Sequence, residues 1–569
     1  MPRTSASPAR PRLPRLPLSG LLRLGVPSET WFKPALSVVV SVAPPNLLLL
    51  ALGRLDLALY TMAGSLCALY AHNRPYAARA RVLGWVVLGM LTGLAAALVT
   101  ASLTGSAVVL VTVGALLAAG QKAVCDATRI GPPGHVIFTF ISSAALFAPQ
   151  QPGQVPAHVG LAALAGLWSW AVGMAPGLVR PYGPERRATA HALRATAGHA
   201  QSRDAAARTA AAAALHAAWQ TLAASGRRST ARAPLARLLS HAEAALASPA
   251  DADPARLRTW AAALRGNGAL PAPGGAAPAR AGRRLPRTHT AEGRVRRAVR
   301  APGNAPGRAG RARALGALVR ERLAGVAPLA VRTAVGCALA GYASLALGVG
   351  RPYWALVTAA SLYQANVTLT WNRGVQRVVG NLLGVLFFAA LAPLSRVSQL
   401  ALVLCCVALN FGAEALITRN YWLGSVCVTP MALLVTDFAR YQEPGALMAD
   451  RVLDTVVGAL VGFAAAVAVT NRRAGERIEH ALAAVHRARE HSAGLLAAPE
   501  PDPHALTAAH RDLTGALVAL RTAADTAAGE WWQRDLPQER VLHAEQAGHR
   551  TLAVAIRRQA PRPAEDVHV

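Results

Sequence analysis

The densest group of chemically capable side chains lies between residues 351 and 384. The run Arg351-Pro-Tyr-Trp354 opens this segment, and Arg373 and Arg377 follow it, four residues apart. An arginine presents a planar, permanently charged fork of N–H donors that matches the two oxygens of a carboxylate. Residues four apart are neighbours on a helix surface, so Arg373 and Arg377 are expected to share one face. These residue types suit the binding of an anion.

A simpler interpretation explains the same segment without a ligand. Pro352 suits the first turn of a helix, and the rings of Tyr353 and Trp354 suit the headgroup level of a membrane. Gly380 and Gly384 repeat the four-residue spacing and would let a neighbouring helix approach closely. In this interpretation the arginines orient helices and the glycines form a packing seam, and the sequence leaves both interpretations open.

Ionisable groups inside apolar stretches are costly and therefore suggest a function. Glu414 is the clearest case, and it either carries a coupling proton or pairs with Arg419. Asp454 lies one turn after Arg451, where a local ion pair is the simpler expectation. Three asparagines are expected to line a polar path or to hydrogen-bond between helices: Asn366, Asn381 and Asn410.

The elements that position these side chains are twelve apolar stretches, six toward each end of the chain. They are residues 34–52, 57–73, 82–100, 104–121, 134–149 and 157–179, then 327–349, 353–369, 375–393, 398–417, 421–438 and 450–470. A bilayer core about 30 Å thick takes about 20 apolar helical residues. The sequence therefore predicts an all-α, polytopic membrane protein built from two six-span transmembrane bundles, each followed by cytoplasmic helices.

Six regions follow from this division. They are a basic disordered tail at 1–33, a first transmembrane domain at 34–179, a helical region at 180–265, a disordered Arg/Pro/Gly linker at 266–313, a second transmembrane domain at 314–470 and a helical C-terminal region at 471–569. The first helical region is expected to hold one helix of about 40 residues from Pro184, then helices at 233–247 and from Asp253-Pro254. The last region is expected to hold helices at 474–497, 503–528 and 537–558.

The two halves are expected to be parallel repeats. Gly53–Ala63 resembles Gly350–Ala360, and Arg81–Gly84 resembles Arg377–Gly380. Basic residues in the first half lie mainly in alternate loops, and by the positive-inside rule both chain termini are cytoplasmic. The expected location is the cytoplasmic membrane.

Composition and motifs exclude several other classes. The chain has a formal net charge of +31 and a mean hydropathy of +0.31. Its arginines flank apolar stretches and fill the linker, which fits attraction to anionic lipid headgroups better than nucleic-acid binding. The six cysteines lack the spacing of a disulfide scaffold or a zinc site. No nucleotide-binding or hydrolase motif occurs, so we expect neither an enzyme nor a cofactor.

A Pro-x-Trp-Ala start at Pro352, a basic turn with spaced arginines and a Gly-x-x-x-Gly pair resemble the fusaric-acid-resistance family. This family comprises integral membrane proteins of the aromatic-acid-exporter type, related to plant anion channels. Its pattern of six spans and soluble helices, often doubled, covers nearly the whole chain, whereas the motif covers residues 351–384 alone. The first half departs from the motif, because Asp56-Leu-Ala stands where Pro-x-Trp-Ala is expected.

The resemblance implies export of small organic anions, with aromatic carboxylates as the expected class. The substrate-binding candidates are then Arg351, Trp354, Tyr363, Arg373 and Arg377, with Arg332 near the start of span seven. Trp354 and Tyr363 would stack an aromatic ring, and Glu414 and Asp454 are the candidate coupling acids. An anion channel and a non-transporting scaffold with basic cytoplasmic helices are the alternatives. The expected partners are the substrate anion and the lipid bilayer, and parallel repeats are compatible with a homodimer. The basic linker is either a solvated segment or an anchor on anionic lipid headgroups, and the sequence leaves both interpretations open.

Overall fold

The computed structural model confirms the predicted all-α class. It describes residues 20–25, 31–225, 230–266, 268–271, 308–438, 443–469, 474–499, 502–530 and 536–559. Within these ranges the chain forms helices and no β-strand. Most of the predicted N-terminal tail (1–33) and of the predicted linker (266–313) lies outside the described residues.

Two blocks of apolar helices account for the membrane part of the chain. The first block is α1 (Phe32–Ala51), α2 (Ala58–Ser65), α3 (Tyr76–Leu103), α4 (Ala107–Thr128), α5 (Val136–Leu146), α6 (Val155–Met174) and the short α7 (Pro176–Val179). Four helices, α8 to α11, lie between the blocks within residues 183–263 and are called tail helices. The second block is α12 (Arg308–Ala346), α13 (Tyr353–Leu362), α14 (Val367–Ser395), α15 (Gln399–Ile417), α16 (Tyr421–Asp437) and α17 (Pro444–Ala468).

Eight of these helices are long and apolar enough to cross a membrane, not twelve. The other four apolar segments are shorter: Leu55–Leu69, Val136–Leu146, Tyr353–Leu362 and Tyr421–Thr436. These segments contain the second and fifth helices of each block. The first six helices of both blocks therefore follow the same order of lengths: long, short, long, long, short, long. Every residue of α13 is buried, and so is every residue of α2 except the half-buried Leu59. A helix covered by protein on all sides need not match the bilayer thickness, because its backbone ends meet protein rather than lipid.

The two blocks pack against each other in a reciprocal way. Helix α1 of the first block lies on α15, the fourth helix of the second, and α12 of the second block lies on α4, the fourth of the first. This exchange and the shared order of helix lengths are compatible with a repeat. The relation of the two blocks as parallel six-span repeats stays a prediction.

Large apolar side chains cover the outward surfaces of the long helices. Leu48, Leu116, Leu164, Leu386 and Leu460 are each between 61% and 68% exposed. A water-soluble protein rarely exposes an apolar surface of this extent. The arrangement fits helices whose surroundings are hydrocarbon, which agrees with an integral membrane protein.

The helices between the blocks form a separate apolar core. They are α8 (Gly183–Ser202), α9 (Ala205–Ala224), α10 (Arg232–Ala247) and α11 (Pro254–Ala263). The prediction of one 40-residue helix is wrong, because Arg203 adopts a left-handed conformation (φ 56°) and the Asp204 side chain caps α9 by accepting from Ala207 N–H. Asp253 caps α11 with Pro254 at its first position, as predicted.

The C-terminal helices lie where the sequence placed them. They are α18 (Ala474–Ala497), α19 (Pro503–Ala528) and α20 (Gln538–Gln559). Helices α19 and α20 pack on α9 and α10, so the two sets of tail helices touch. Both sets also contact the bundles at one end: Arg187 donates to the carbonyl of His72, after α2, and Thr368 N–H donates to the carbonyl of Gly529. We call this end the tail side and the opposite end the far side.

Candidate functional site

Glycines bring α14 and α16 into close contact, as the Gly-x-x-x-Gly spacing suggested. A Cβ on Gly380 would lie 2.5 Å from the Cβ of Ser425, and one on Gly384 would lie 2.6 Å from the Cβ of Thr429. No side chain larger than hydrogen fits at this separation. The seam therefore fixes the distance between the helix that carries Arg373 and Arg377 and its neighbour.

A buried polar network crosses the second bundle beside this seam. Asn381 Nδ2 donates to Thr455 Oγ1 at 3.0 Å, and the hydroxyl of Thr429 donates to Asn381 Oδ1. Thr455 Oγ1 in turn donates to the carbonyl of Arg451 at 2.7 Å. Asn381 thus joins α14, α16 and α17, which is the interhelical role that the sequence allowed. Asn410 instead donates to the carbonyl of Cys406 in its own helix.

Trp354 lies between two guanidinium groups near the far side. Its side chain is 1% exposed, with the Cζ of Arg351 5.2 Å and the Cζ of Arg451 5.1 Å from the ring centroid. Both distances are in the cation–π range. Tyr353 and Phe147 continue the aromatic group, with ring centroids 5.6 Å apart. A ring held this way is a rigid apolar wall beside two positive charges.

Arg451 was missed as a ligand candidate by the sequence analysis. It is 1% exposed, and its Nε and Nη1 have no hydrogen-bond partner. The rule that singled out acids inside spans applies equally to an arginine eight residues into α17, and would have found it.

The ion pair expected between Arg451 and Asp454 is not formed, although the structure describes both residues. Asp454 Oδ1 accepts instead from Ser344 Oγ at 2.6 Å, and Asp454 Oδ2 has no hydrogen-bond partner. The guanidinium of Arg451 extends to the Trp354 ring while the carboxylate turns to α12. The two side chains extend from the same helix toward different neighbours. They therefore form no ion pair, although they are only three residues apart.

Arg373 and Arg377 converge on Tyr421, at the tail-side start of α16. The Cζ of Arg373 lies 3.1 Å from the Tyr421 ring centroid, and Arg377 Nη1 donates to the Tyr421 hydroxyl at 3.1 Å. Arg377 is 4% exposed, and its Nε has no hydrogen-bond partner. The shared face predicted for the two arginines is therefore present, and Tyr421 is a member that the sequence analysis did not name.

Tyr363 lies apart from the arginines. It is fully buried, and its hydroxyl donates to the carbonyl of Gly462 at 3.1 Å. That hydroxyl occupies the place of a Cβ on Gly336, only 1.6 Å from where the atom would be. In this structure the Tyr363 ring fills the contact between α12 and α17.

Arg332 connects the bundle to the tail helices. Its Nε donates to the carbonyl of Val469 at 2.9 Å, and its Nη2 lies 3.7 Å from Glu530 Oε2. Burial raises the pKa of Glu530, and the nearby positive charge of Arg332 opposes this only in part. The Arg332 side chain thus contacts Val469 and Glu530 at the tail side.

Glu414 does not form the ion pair with Arg419 that was one of its two expected roles. Both residues are described; Glu414 is half-buried on α15, and Arg419 is exposed. Within the described part of the chain, no hydrogen bond joins Glu414 to the arginines around Trp354 and Tyr421. Its other expected role, as a coupling acid, stays a prediction.

The cysteines are buried or half-buried apolar side chains. All six are described, and all are free thiols. Only Cys405 is half-buried; the rest are buried. This agrees with the role predicted for them as small apolar residues.

Comparison with known proteins bears out the family resemblance. Residues 337–465 match the family model described as fusaric acid resistance protein-like. The matched segment contains the arginines, the aromatic residues and the glycine seam of the candidate site. It covers α13 to α16 and parts of α12 and α17, so the similarity applies to the second bundle.

A bacterial membrane protein is also similar. It is the uncharacterized membrane protein YvaC of Bacillus subtilis (strain 168), 28% identical over 232 residues, which are 40% of this chain and 35% of that protein. The chain thus spans about a third of the length of this relative. No solved structure matches the chain. Together with the apolar helices, these similarities identify an integral membrane protein with a fusaric-acid-resistance-like segment, consistent with a membrane transporter.

Proposed function

We propose that this protein is a secondary transporter that exports small organic anions, with aromatic carboxylates as the preferred class. The carboxylate binds to Arg451 and Arg377, and the ring of the substrate lies against Trp354. Arg351 receives the anion toward the far side. In this proposal the tail side faces the cytoplasm, in the orientation that the positive-inside rule favours.

The observation that carries the proposal is the unsatisfied guanidinium of Arg451. A buried charge costs several kcal/mol unless it is paired and hydrogen-bonded, so proteins rarely keep one without a partner. Arg451 has an aromatic ring beside it and two buried nitrogens without a hydrogen-bond partner. A bound carboxylate would supply both the acceptors and the missing negative charge.

The positions of the other polar groups support a path through the second bundle. Arg373, Arg377 and Tyr421 lie at the tail side, and Arg351 and Trp354 lie toward the far side. The network around Asn381 lies on the same helices and offers hydroxyl and amide groups along them. An anion moving between the two ends would meet a cation at each.

We assign the coupling proton to Asp454 in preference to Glu414. Asp454 is fully buried one turn from Arg451, and one of its carboxylate oxygens has no hydrogen-bond partner. Its charge would change the potential at Arg451 directly, whereas Glu414 is half-buried on another helix. In this proposal, the gain or loss of a proton by Asp454 controls when Arg451 releases the substrate carboxylate.

Flux measurements in proteoliposomes test the function. Wild-type protein is expected to move labelled benzoate, a simple aromatic carboxylate, against its gradient when a proton gradient is imposed. Arg451→Gln is expected to lose at least about tenfold of this flux, because a hydrogen bond to a charged group contributes roughly 1.5–3 kcal/mol. Arg419→Gln is the matched control and should transport normally, since Arg419 is an exposed arginine in the same bundle.

The possible outcomes separate the alternatives. Downhill flux that never becomes uphill would show an anion channel. If neither benzoate nor other small organic anions move at all, a scaffold is the better description. Equal flux in Arg451→Gln and wild type would refute the binding role of Arg451.

A further inference from the structure

A large cavity in the described part of the chain lies outside the membrane bundles. It has a volume of about 1450 Å³ and is bordered by α9 and α10 from one set of tail helices and by α18, α19 and α20 from the other. Sites for small organic ligands usually measure about 300–1,000 Å³. The space is therefore large enough for an organic anion together with water.

The walls of this cavity, which we call the tail chamber, are strongly basic. Two carboxylates line it, Glu243 and Asp512, against six arginines: Arg129, Arg208, Arg477, Arg487, Arg511 and Arg550. Burial lowers the pKa of His549 to about 4, with a further contribution from Arg208, and burial together with Arg129 lowers the pKa of His216. These two histidines are neutral at pH 7, so the positive potential there comes chiefly from arginine.

One wall of the chamber is an ordered group rather than a loose basic surface. Arg511 Cζ lies 4.2 Å from the centroid of the Trp219 ring, and Trp219 Nε1 donates to Glu243 Oε1 at 2.6 Å. Burial alone would raise the pKa of Glu243, but His510 and Arg511 outweigh it and hold the pKa below its usual value. The carboxylate of Glu243 is therefore ionised, and its neighbours offset its negative charge.

His510 gives an independent indication of a ligand. It is 6% exposed and lines the chamber, with its Nε2 3.6 Å from Glu243 Oε1. Its Nδ1 is buried and has no hydrogen-bond partner. Buried polar atoms of this kind are rare in native proteins and often mark the place of an unseen partner.

The chamber reaches the tail-side ends of both bundles. Arg129, one of its lining residues, is the C-cap of α4. Thr526 also lines it, and the Thr526 carbonyl accepts from Asn366 Nδ2 at 3.2 Å. Asn366 caps α14, the helix that carries Arg373 and Arg377. The chamber therefore extends to the start of the helix that carries these two arginines.

We infer that the tail chamber is the intake site of the transporter, where organic carboxylates bind before they enter the second bundle. This inference rests on the proposed function. A cleft lined by one sign of charge raises the local concentration of the opposite ion and its association rate by about 10 to 10³. The six arginines draw the carboxylate in, and the Trp219 wall offers apolar contact to its organic part.

The test compares two arginines of the chamber with one outside it, in full-length protein in lipid nanodiscs and proteoliposomes. Arg208 and Arg550 are exposed chamber residues, so Arg208→Gln with Arg550→Gln removes two charges whose side chains are not part of a packed core. Arg540→Gln is the control, since Arg540 lies on the same helix as Arg550 but pairs on the surface with Glu479 at 2.8 Å.

The double variant is expected to raise the benzoate concentration for half-maximal transport about tenfold at low salt, with the maximal rate unchanged. Raising the ionic strength should weaken wild-type transport far more than that of the variant, because exposed charges are screened. Arg540→Gln should match wild type in both measurements. Equal half-saturation in wild type and double variant would overturn the inference.

Equilibrium binding separates this inference from the proposed function. Labelled benzoate should still bind to Arg451→Gln, in which transport is expected to fall at least about tenfold. Its affinity should drop about tenfold when Arg208 and Arg550 are also replaced. If benzoate binds in this chamber-dependent way but wild type moves no anion, the proposed function fails and the chamber remains a binding site. If inorganic phosphate binds there and benzoate does not, the chamber takes another anion and the inference is wrong.

Discussion

At the scale of single residues, charge and burial conflict around Trp354. Arg451 and Arg377 are both buried; two guanidinium nitrogens of Arg451 and one of Arg377 have no hydrogen-bond partner. A protein selected only for stability would replace such groups by apolar ones, which often stabilises a fold by about 1–4 kcal/mol. In the proposed function a bound anion supplies what these groups lack, because binding sites often keep strain that the rest of the fold offsets.

The conflict predicts opposite effects on stability and on transport at Arg451. Arg451→Met keeps the volume of the side chain and removes the uncompensated charge, so the free energy of unfolding should rise by about 1–4 kcal/mol. Anion transport should fall at least about tenfold. Thermal unfolding of the detergent-solubilised protein measures the first effect, and proteoliposome flux measures the second. A variant that is both less stable and inactive would instead indicate that Arg451 supports the fold.

Asp454 carries the second prediction at this scale. Asp454→Asn keeps an acceptor for Ser344 Oγ but cannot change its charge. Accumulation of benzoate driven by a proton gradient should be lost, while exchange of labelled for unlabelled benzoate should stay within about twofold of wild type. Glu443→Gln, at the exposed start of α17, is the control and should behave normally. Intact accumulation in Asp454→Asn, with loss in Glu414→Gln, would move the coupling role to Glu414.

At the scale of elements, the sequence predicted helix types well and their ends less well. The apolar window 353–369 runs through a break, because α13 ends at Leu362 and the Asn366 side chain caps α14 by accepting from Leu369 N–H at 2.8 Å. Averaged hydropathy passes over such a break, since neighbouring residues such as Tyr363 and Ala365 are themselves apolar. The break between α8 and α9, where the Asp204 side chain caps α9, was missed in the same way in a polar part of the chain.

The site was predictable where its members are close in sequence. Arg351, Trp354, Arg373 and Arg377 belong to one motif, and the shared face of the last two follows from helix geometry. Arg451 and Tyr421 come from other helices, and their approach depends on how α13, α14, α16 and α17 pack. Spacing along a single chain cannot supply that packing, although a rule for cations inside spans would have drawn attention to Arg451.

The glycine seam gives a prediction at the element scale. Gly384→Ala places a Cβ 2.6 Å from the Cβ of Thr429 and 3.0 Å from the carbonyl oxygen of Val426, so α14 and α16 must separate. Overpacking of this kind costs about 1–3 kcal/mol. Gly120→Ala is the control, since Gly120 lies in α4 with nothing within 4 Å of its Cβ position. Alanine there should be neutral or stabilise by up to about 1 kcal/mol. Thermal unfolding checks both, and equal stability of the two variants would show that the seam is looser than described.

At the scale of the whole molecule, the two sets of tail helices join the two bundles on one side. They meet each other through Glu243 and His510, and they reach the bundles at His72 and at Asn366. A change in the spacing of the bundles would therefore be transmitted to the tail chamber. The expectation that this side is cytoplasmic remains a prediction, which accessibility labelling at residues in α8 and α18 would check.

The contact between Gly529 and Asn366 is where this connection can be broken. A Cβ on Gly529 would lie 2.3 Å from the Asn366 side chain, and Gly529 also accepts from Thr368 through its carbonyl. Gly529→Val should push the α19 end away from the start of α14, because neither backbone has room to move toward the other. The free energy lost is on the order of 1–3 kcal/mol, the usual cost of inserting a larger side chain into a packed contact.

Gly529→Val should therefore expose the 526–530 segment to protease and lower transport, while benzoate binding at Arg451 in the bundle is retained. Gly494→Val is the control, since Gly494 lies in α18 with nothing within 4 Å of its Cβ position. Limited proteolysis and proteoliposome flux, measured on the same preparations, test the two effects. If Gly529→Val becomes protease-sensitive yet transports like wild type, the tail helices are an attachment that transport does not need. Alternatively, Gly529→Val changes both protease sensitivity and transport, and Gly494→Val changes neither. The tail helices and the second bundle then act as one unit, and the anion must pass through the tail side, which both of them form.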